Sequence, residues 1–304
     1  MYRIKQKPED FIVEEITNVR PKDSGRYVYY KLTKRNYNTL TAIEHIASRL
    51  GINPRRIGFA GTKDRLAVTA QYISIDNVKK ERVDAVDLKD IELEFFGYGD
   101  EPISLGDLEA NRFEIRVYSD KKPRKIGKVI NYFGEQRFSK HNVDIGLAII
   151  KGNFKKAVDI ISESDNEFSD TASEYLAKKP NDYIGVIRKI PKKLLMLYIH
   201  SCQSDIWNRT VERMASMGVE QEKVPLVGFG TELEGKSGEI ISSILKQEGI
   251  TQRDFIIRSI PELSSEGSDR DMFIEIKDLE INDKVKFTLQ KGSYATVVIQ
   301  QLFS

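Results

Sequence analysis

Cysteine and histidine are scarce in this chain of 304 residues. The single cysteine, Cys202, excludes an internal disulfide bond. With only His45, His141 and His200 besides it, the chain cannot assemble the CxxC or HExxH spacings of common zinc motifs. Zinc-dependent chemistry is therefore not expected, and we expect no metal site.

Long hydrophobic runs are also missing. The longest uninterrupted apolar run extends from Leu194 to Ile199, whereas a membrane-spanning helix needs about 18 or more apolar residues. The N-terminal segment lacks the apolar region of a signal peptide. These two absences predict a cytoplasmic protein with no membrane partner.

Glycine and proline, 20 and 9 residues, together fall below their usual share of about 12%. Their low number excludes collagen-like and extensively disordered classes. What is present fits a folded protein: 40% hydrophobic residues, and 48 basic against 46 acidic side chains for a net charge of +2. At roughly 150 residues per domain, the length predicts two domains or one domain with a large insertion.

Charge is unevenly distributed along the chain. Lys31 to Arg65 contains eight basic and two acidic residues, and Lys121 to Lys140 contains seven and one, so each segment has a local balance of +6. Asp76 to Glu109 has eleven acidic and four basic residues, a balance of −7. Two basic segments flanking an acidic one suit a polyanion-binding face, although an ordinary mixed surface would give the same pattern.

The first third of the chain has the pattern of strands and tight turns. Alternating side chains predict strands at Phe11 to Glu15 and Arg26 to Lys34, and a further strand from Ala67 to Ile75. Between them, Asn38 or Thr39 can cap a helix that Gly51 ends. Asp64 falls on a turn between two apolar segments.

The middle of the chain is helical in pattern and its end is not. Helical spacing opens at Ile126, Val129, Ile130 and Phe133, and the longest predicted helix extends from Pro191 to Met217, burying Cys202 and Trp207. Strand patterns return at Met272 to Ile276 and Lys284 to Leu289, and Gly292-Ser293 caps a short last helix. The order predicts a helical insertion within one α/β catalytic domain of mixed α+β class.

One motif points to nucleotide binding. Gly230 to Ser237 reads GTELEGKS, which fits the phosphate-loop pattern G-x-x-x-x-G-K-[ST]. Only 67 residues follow Ser237, too few for the rest of such a domain. Glu232 and Glu234 would also place carboxylates in a loop built for anions. The alternative is that this segment is a polar loop before a helix. On that interpretation we expect no nucleoside triphosphate as a partner.

Another segment carries a reactive carboxylate. Residues 58–71 read GFAGTKDRLAVTAQ and resemble the nucleophile motif of the TruD family of tRNA pseudouridine synthases. A Gly-Thr-Lys-Asp turn alone is compatible with a structural role, because Asp at a turn satisfies local amides. Further segments are similar to other signatures of that family in the same order: 5–15 (KQKPEDFIVEE), 111–113 (NRF), 131–138 (NYFGEQRF), 226–231 (LVGFGT), 261–264 (PELS) and 291–296 (KGSYAT).

The resemblance spans nearly the whole chain and implies an architecture. It implies a pseudouridine synthase catalytic domain with a largely antiparallel sheet, made of residues 1–134 and 259–304. A mainly helical TRUD insertion domain, residues 135–258, would help to form an RNA-binding cleft. It also implies tRNA as the partner, with uridine 13 as the favoured target.

The chemistry implied by the resemblance needs no cofactor. Converting uridine to pseudouridine breaks the C1′–N1 bond, turns the bound uracil and joins C5 to C1′. An ionised carboxylate acts as a nucleophile or as a base on the sugar, and Asp64 is the candidate. A neighbouring cation favours its ionised form, and by resemblance that cation is Lys5. Lys63 and Arg65, which are nearer to Asp64 in the sequence, are predicted to contact RNA phosphates instead.

The target base must leave the helical stack to reach Asp64. The resemblance assigns a platform for the flipped base to Phe113 and a positioning hydrogen bond to Asn111. Phe113 could equally be a core residue of a strand from Arg112 to Val117. An RNA-binding protein of the same fold without activity remains the second alternative, besides the phosphate-loop protein.

Overall fold

The chain forms two units, which the computed structural model describes over residues 2–139, 141–164 and 168–304. The first unit comprises the chain up to Val129 and again from residue 274 onwards, and the second comprises residues 130–273. The predicted insertion, 135–258, lies inside the second unit, whose bounds are wider at both ends. Lys140, the last residue of the second basic segment, lies outside the described residues.

The first unit is built on an eight-stranded sheet. The strands and helices that lie in this unit, or cross its boundary in the case of β9 and β12, are β1 (Tyr2–Arg3), β2 (Phe11–Thr17), β3 (Tyr27–Arg35), α1 (Thr39–Leu50), β4 (Ile57–Phe59), β5 (Val68–Asp76), α2 (Lys80–Asp84), β6 (Ile91–Gly99), β7 (Leu108–Ile115), β8 (Tyr118–Ser119), β9 (Lys128–Ile130), β12 (Phe273–Glu275), β13 (Lys277–Ile281), β14 (Val285–Gln290) and α9 (Ala295–Leu302). The sheet order is β13-β14-β7-β2-β5-β3-β6, with β4 beside β5. Only the β2–β5 pair is parallel among the described pairs of this sheet, so the predicted largely antiparallel α/β architecture is confirmed.

One face of this sheet carries two hydrophobic clusters under helices. Residues opposite each other in a ladder face the same side, and the registers join Val13, Phe113 and Phe287 on one face. Helix α9 packs on that cluster. Thr69 on β5 is opposite both Val13 and Lys34, so β3 presents Lys34 on this same face. The other β3 residues on this face are covered by α1.

Helix α1 begins and ends as its sequence predicts. The Asn38 side chain accepts a hydrogen bond from the Thr41 amide at 2.8 Å, which satisfies a free donor of the first turn. Gly51 ends the helix with φ +64°, a left-handed conformation that glycine adopts without steric cost. The apolar face between these caps is what anchors α1 on the sheet.

The second unit is mainly helical. Its elements are α3 (Asn142–Ile150), α4 (Phe154–Glu163), α5 (Ser169–Lys178), α6 (Tyr183–Ile187), α7 (Lys192–Ser216), β10 (Lys223–Leu226), α8 (Gly235–Glu248) and β11 (Ser268–Asp271). The predicted long helix is confirmed as α7, with Cys202 and Trp207 buried. The Trp207 indole N–H donates to the Val224 carbonyl at 3.0 Å, which satisfies its buried donor. Burial raises the pKa of the Cys202 thiol to about 12, so this cysteine stays protonated at neutral pH and is not a nucleophile.

Two local predictions are wrong. The segment 126–133, predicted to be helical, instead contains the short strand β9, because its backbone pairs with a distant segment: the Ile276 amide donates to the Gly127 carbonyl at 2.8 Å. Gly292-Ser293 does not cap the last helix. Gly292 turns the chain with φ +82°, and α9 starts three residues later, at Ala295, after Tyr294.

No helix in the described part of the chain is both long and apolar enough to cross a membrane.

Candidate active site

Asp64 lies on the loop between β4 and β5, and three buried polar side chains hold this loop from three different elements. Gln71 on β5 donates to the Gly61 carbonyl at 2.9 Å. Thr39 at the start of α1 accepts from the Lys63 amide at 2.9 Å, and Lys34 on β3 donates to the Asp64 carbonyl at 3.1 Å. The backbone that carries Asp64 is therefore preorganised, while its side chain remains 33% exposed.

The structure brings Lys5 to Asp64 as predicted. The Lys5 ammonium pairs with Oδ2 of Asp64, across 59 positions of sequence. The same ammonium lies 4.1 Å from the centroid of the Phe11 ring, a favourable cation–π contact. Lys5 has φ +55°, a left-handed conformation that costs a non-glycine residue roughly 1–3 kcal/mol. Backbone strain of this kind is common at functional positions.

Lys63, the neighbour of Asp64, is turned inward. Its ammonium lies 2.8 Å from Oε2 of Glu15 and donates to Oδ1 of Asn111 at 2.8 Å. The Lys63 side chain is 8% exposed and that of Glu15 is fully buried. The Lys63 side chain is therefore largely covered and faces Glu15 and Asn111, which disfavours the predicted phosphate contact of Lys63.

Phe113 lies in the core cluster beneath the site. Its ring centroid is 6.2 Å from that of Phe11, edge-on, and 5.5 Å from that of Phe287. The residue is 7% exposed. Phe113 thus touches the ring over which Lys5 lies, and most of its own surface is packed, as the core alternative requires.

Lys34 is a fully buried lysine at the centre of the site's support. Its ammonium donates to the Tyr37 carbonyl as well as to that of Asp64. Burial lowers its pKa to about 8, with the nearby Lys63 charge adding to the effect and Asp64 opposing it. Lys34 was counted among the basic residues of a phosphate-binding segment. Its burial removes it from any such surface.

Arg65 is exposed and lines a surface cavity of about 480 Å³. The same cavity is lined by Arg35, Lys89, Asp90 and Tyr37. The Lys34 ammonium donates both to the Tyr37 carbonyl and to the Asp64 carbonyl, so it connects this cavity to the Asp64 loop. Arg35 is partly neutralised by Glu9 at 2.5 Å. Three cations against one lining carboxylate leave the cavity positive, beside the loop that bears Asp64.

Sequence reasoning missed Glu15, Lys34, Thr39 and Gln71. A signal was present for Glu15 and Lys34, because they occupy strand positions in phase with buried apolar residues, and Gln71 is in phase with Ile73 and Ile75. Most polar side chains in phase with a buried face have buried partners. What the pattern could not show is that these partners are Asn111, Lys63 and the Asp64 loop.

The phosphate-loop alternative is wrong. Strand β10, before the matching letters, pairs antiparallel with β11 in a two-stranded sheet, whereas a phosphate loop follows a strand of a parallel sheet. The Lys236 ammonium pairs with Glu239 at 2.8 Å. A cavity of about 470 Å³ at this loop is lined by four carboxylates that would repel a polyphosphate: Glu232, Glu234, Glu266 and Asp269.

Known proteins resemble this chain over almost its whole length. A family model described as tRNA pseudouridine synthase D (TruD) matches residues 2–174, 165–224 and 221–302. The chain is 33% identical to a probable tRNA pseudouridine synthase D of Nanoarchaeum equitans, covering 99% of this chain and 98% of that protein. It is 30% identical to a protein of the same description from Methanosarcina acetivorans, covering 98% and 92%. The crystal structure of a putative tRNA pseudouridine synthase D (TruD) from Methanosarcina mazei superposes with a TM-score of 0.76 at 28% identity, covering 99% of this chain and 93% of that one.

Proposed function

This chain belongs to the TruD family of tRNA pseudouridine synthases, and we propose that Asp64 is the carboxylate with which it converts a uridine of tRNA, uridine 13 by family resemblance, into pseudouridine. The observation that carries the proposal is the pairing of Asp64 with Lys5 on a loop held by Lys34, Thr39 and Gln71. A reactive carboxylate must be fixed in position and reachable. The Asp64 loop is held by these three contacts, and a third of the Asp64 side chain is exposed.

The reaction is an isomerisation, so atoms are conserved apart from a proton exchange. The C1′–N1 bond breaks, the uracil turns in place, and C5 joins C1′. The proton on C5 is then lost to solvent, and N1 gains one. Asp64 either attacks the sugar or removes a proton from it, and both routes use an ionised carboxylate next to the ribose. Lys5 stabilises that negative charge between turnovers, through the ion pair.

The other predicted site residues take supporting roles in the proposal. Asn111 donates a positioning hydrogen bond to the flipped uracil, and Phe113 with Phe11 forms the floor on which the base rests. Arg65 contacts an RNA phosphate at the positive cavity that it shares with Arg35 and Lys89. The reaction as written needs no cofactor, and a cytoplasmic location fits an enzyme that modifies tRNA.

The experiment that tests the function uses unmodified tRNA carrying 5-tritiated uridine. The purified protein should release tritium into water, and mapping should place one pseudouridine at position 13. The assay contains EDTA and no added nucleotide, because the proposal requires neither metal nor triphosphate. A protein that binds tRNA but releases no tritium in a single turnover would instead be the non-catalytic RNA-binding alternative.

We expect Arg65→Ala to weaken tRNA binding and to reduce its salt dependence. Each phosphate contact contributes about 0.7–0.9 to the slope of log affinity against log salt concentration. Removing one contact should therefore lower the slope by about that amount, in titrations between about 50 and 200 mM salt. Lys236→Ala, beside the acidic cavity of the second unit, is the control and should leave the slope unchanged. An unaltered slope for Arg65→Ala rules out its phosphate contact.

Phe113→Leu should separate the platform role from the core role. A base–aromatic stack is worth about 1–3 kcal/mol, so losing it should slow single turnover roughly ten- to a hundredfold. The matched control is Phe287→Leu, which removes the neighbouring ring of the same cluster. Both variants should unfold at a lower temperature, and Phe113→Leu alone should slow catalysis per folded molecule. Equal rates in the two variants would leave Phe113 with a core role only.

A further inference from the structure

The buried ion pair of Glu15 and Lys63 has no part in the mechanism above. Resting on the proposed function, we propose that this pair orients Asn111: it holds the Asn111 amide with its NH₂ group turned towards the bound base, where that group donates a hydrogen bond to a uracil carbonyl oxygen. Lys63 and Glu15 are then positioning residues, and Asn111 is the residue that reads the base.

Three side chains meet at the Lys63 ammonium. Glu15 on β2 and Asn111 on β7 lie opposite each other in the antiparallel ladder, so their side chains share one face of the sheet. The ammonium lies 2.8 Å from an oxygen of each. The second Glu15 oxygen accepts from the Tyr72 amide at 3.3 Å, which holds the carboxylate from the other side. The Lys63 backbone is also fixed, through Thr39.

The ammonium decides which way the amide points. An ammonium carries three donors and no acceptor, so the Asn111 atom that faces it must be the carbonyl oxygen. Turning the amide over would bring an N–H towards an N–H and break the contact. Within the described ranges, no hydrogen bond is recorded from the Asn111 NH₂ group to a protein acceptor. That group is therefore free to donate to the substrate.

The fixed direction of the donor has consequences for base choice. Uracil offers carbonyl oxygens O2 and O4, both acceptors, whereas cytosine has a donating amino group in place of O4. A fixed NH₂ group facing O4 pairs with uracil and repels cytosine. Facing O2 it would position either base without choosing between them. Both cases share the same chemistry, a donated hydrogen bond to a carbonyl, and thio-substituted substrates tell them apart.

Stability alone does not explain why the charges of Glu15 and Lys63 are both buried. Replacing a buried ion pair with apolar side chains of similar volume is often neutral or stabilising, so such a pair is weak evidence for a stability role. Breaking it by removing one partner leaves the other charge uncompensated. The informative variant is therefore the double replacement Glu15→Gln/Lys63→Met, which removes both charges and keeps the side-chain volumes.

The matched control starts from the neighbouring residue of β2. Glu14 and Lys31 form an ion pair at 2.7 Å on the opposite, more exposed face of the sheet. Glu14→Gln/Lys31→Met removes the same kinds of charge without touching the site. Single-turnover tritium release, tRNA affinity and thermal midpoint are measured for both double variants, for Asn111→Ala, and for Asn111→Ala combined with Glu15→Gln/Lys63→Met.

We expect Glu15→Gln/Lys63→Met to slow single turnover roughly tenfold, the value of one hydrogen bond made to the reacting base, with tRNA affinity and thermal midpoint close to those of the control. Adding these two changes to Asn111→Ala should slow it no further, because the pair acts through Asn111. A wild-type rate in Glu15→Gln/Lys63→Met, or a further full loss on top of Asn111→Ala, overturns the inference.

Substrates with one sulfur identify the carbonyl, since sulfur accepts hydrogen bonds poorly. The wild type should turn over one of two substrates more slowly than ordinary tRNA, either the one with 2-thiouridine or the one with 4-thiouridine at the target. Asn111→Ala should not distinguish that substrate from ordinary tRNA. If 4-thiouridine is the sensitive substrate, Asn111 is the residue that rejects cytidine. Equal sensitivity of wild type and Asn111→Ala to both substrates contradicts the inference. A wild type that releases no tritium from ordinary tRNA contradicts the proposed function itself.

Discussion

Asp64→Asn is expected to slow pseudouridine formation at least about a thousandfold while leaving the fold and tRNA affinity nearly intact. The amide has the shape of the carboxylate but can neither attack the sugar nor abstract its proton, so the chemical step loses its reacting group. The loop itself is held by contacts to the backbone of Gly61, Lys63 and Asp64, which the substitution does not remove. Lys5 keeps a polar partner.

The measurement is single-turnover tritium release from 5-tritiated tRNA, alongside tRNA titration and thermal unfolding. Asp100→Asn is the matched control. Asp100 forms an exposed ion pair with Lys22 at 2.6 Å, so this variant also replaces a paired carboxylate with an amide. It should behave as the wild type does. Release by Asp64→Asn at more than a few per cent of the wild-type rate would exclude Asp64 as the reactive group.

Lys34→Met is expected to give the second-largest loss, about a hundredfold in single-turnover rate with little change in tRNA affinity. Methionine fills the space of the lysine stem but cannot donate to the Asp64 and Tyr37 carbonyls, so the loop loses its contact at the proposed reactive residue. A displacement of about 1 Å from the productive geometry can cost on the order of a hundredfold in rate.

Lys31→Met is the control for Lys34→Met, because Lys31 lies on the same strand with its side chain on the other face. It should leave the rate unchanged. The two variants should also differ in how the rate is lost: Lys34→Met lowers kcat, while KM stays near that of the wild type. Equal rates for Lys34→Met and Lys31→Met would show that the Lys34 contact does not position Asp64.

The titration of Lys34 adds a pH dependence of stability. Burial lowers its pKa from 10.5 to about 8 in the folded protein. Below that pH both folded and unfolded states carry the proton, so this residue adds no slope. Between about pH 8 and the unfolded value the unfolded state binds more protons, so the free energy of unfolding rises with pH. Denaturant unfolding should show the wild type gaining stability relative to Lys34→Met in that window, and an equal pH slope for both proteins would contradict the assignment.

Features that depend on neighbouring residues were readable from the amino-acid sequence alone. The caps of α1 at Asn38 and Gly51, the strand β3, the long helix α7 and the turn that bears Asp64 each depend on side chains a few positions apart. The family motifs are of the same kind, since each is a short segment whose residues act together. From these the family, the sheet class and the reactive carboxylate were predicted, and the family and the class are confirmed.

The tertiary structure decided what the charged and polar side chains do. Sequence counting placed Lys34 and Lys63 on an RNA-binding surface, yet both ammonium groups point inward, to the Asp64 loop and to Glu15 and Asn111. The segment Gly230 to Ser237 matches the phosphate-loop pattern, yet it lines a cavity rich in carboxylates, which does not suit an anion. The physical reason is that the free energy of a charge depends on the dielectric and the partners around it. Those partners come from strands that lie far apart in the sequence and become neighbours only when the sheet forms.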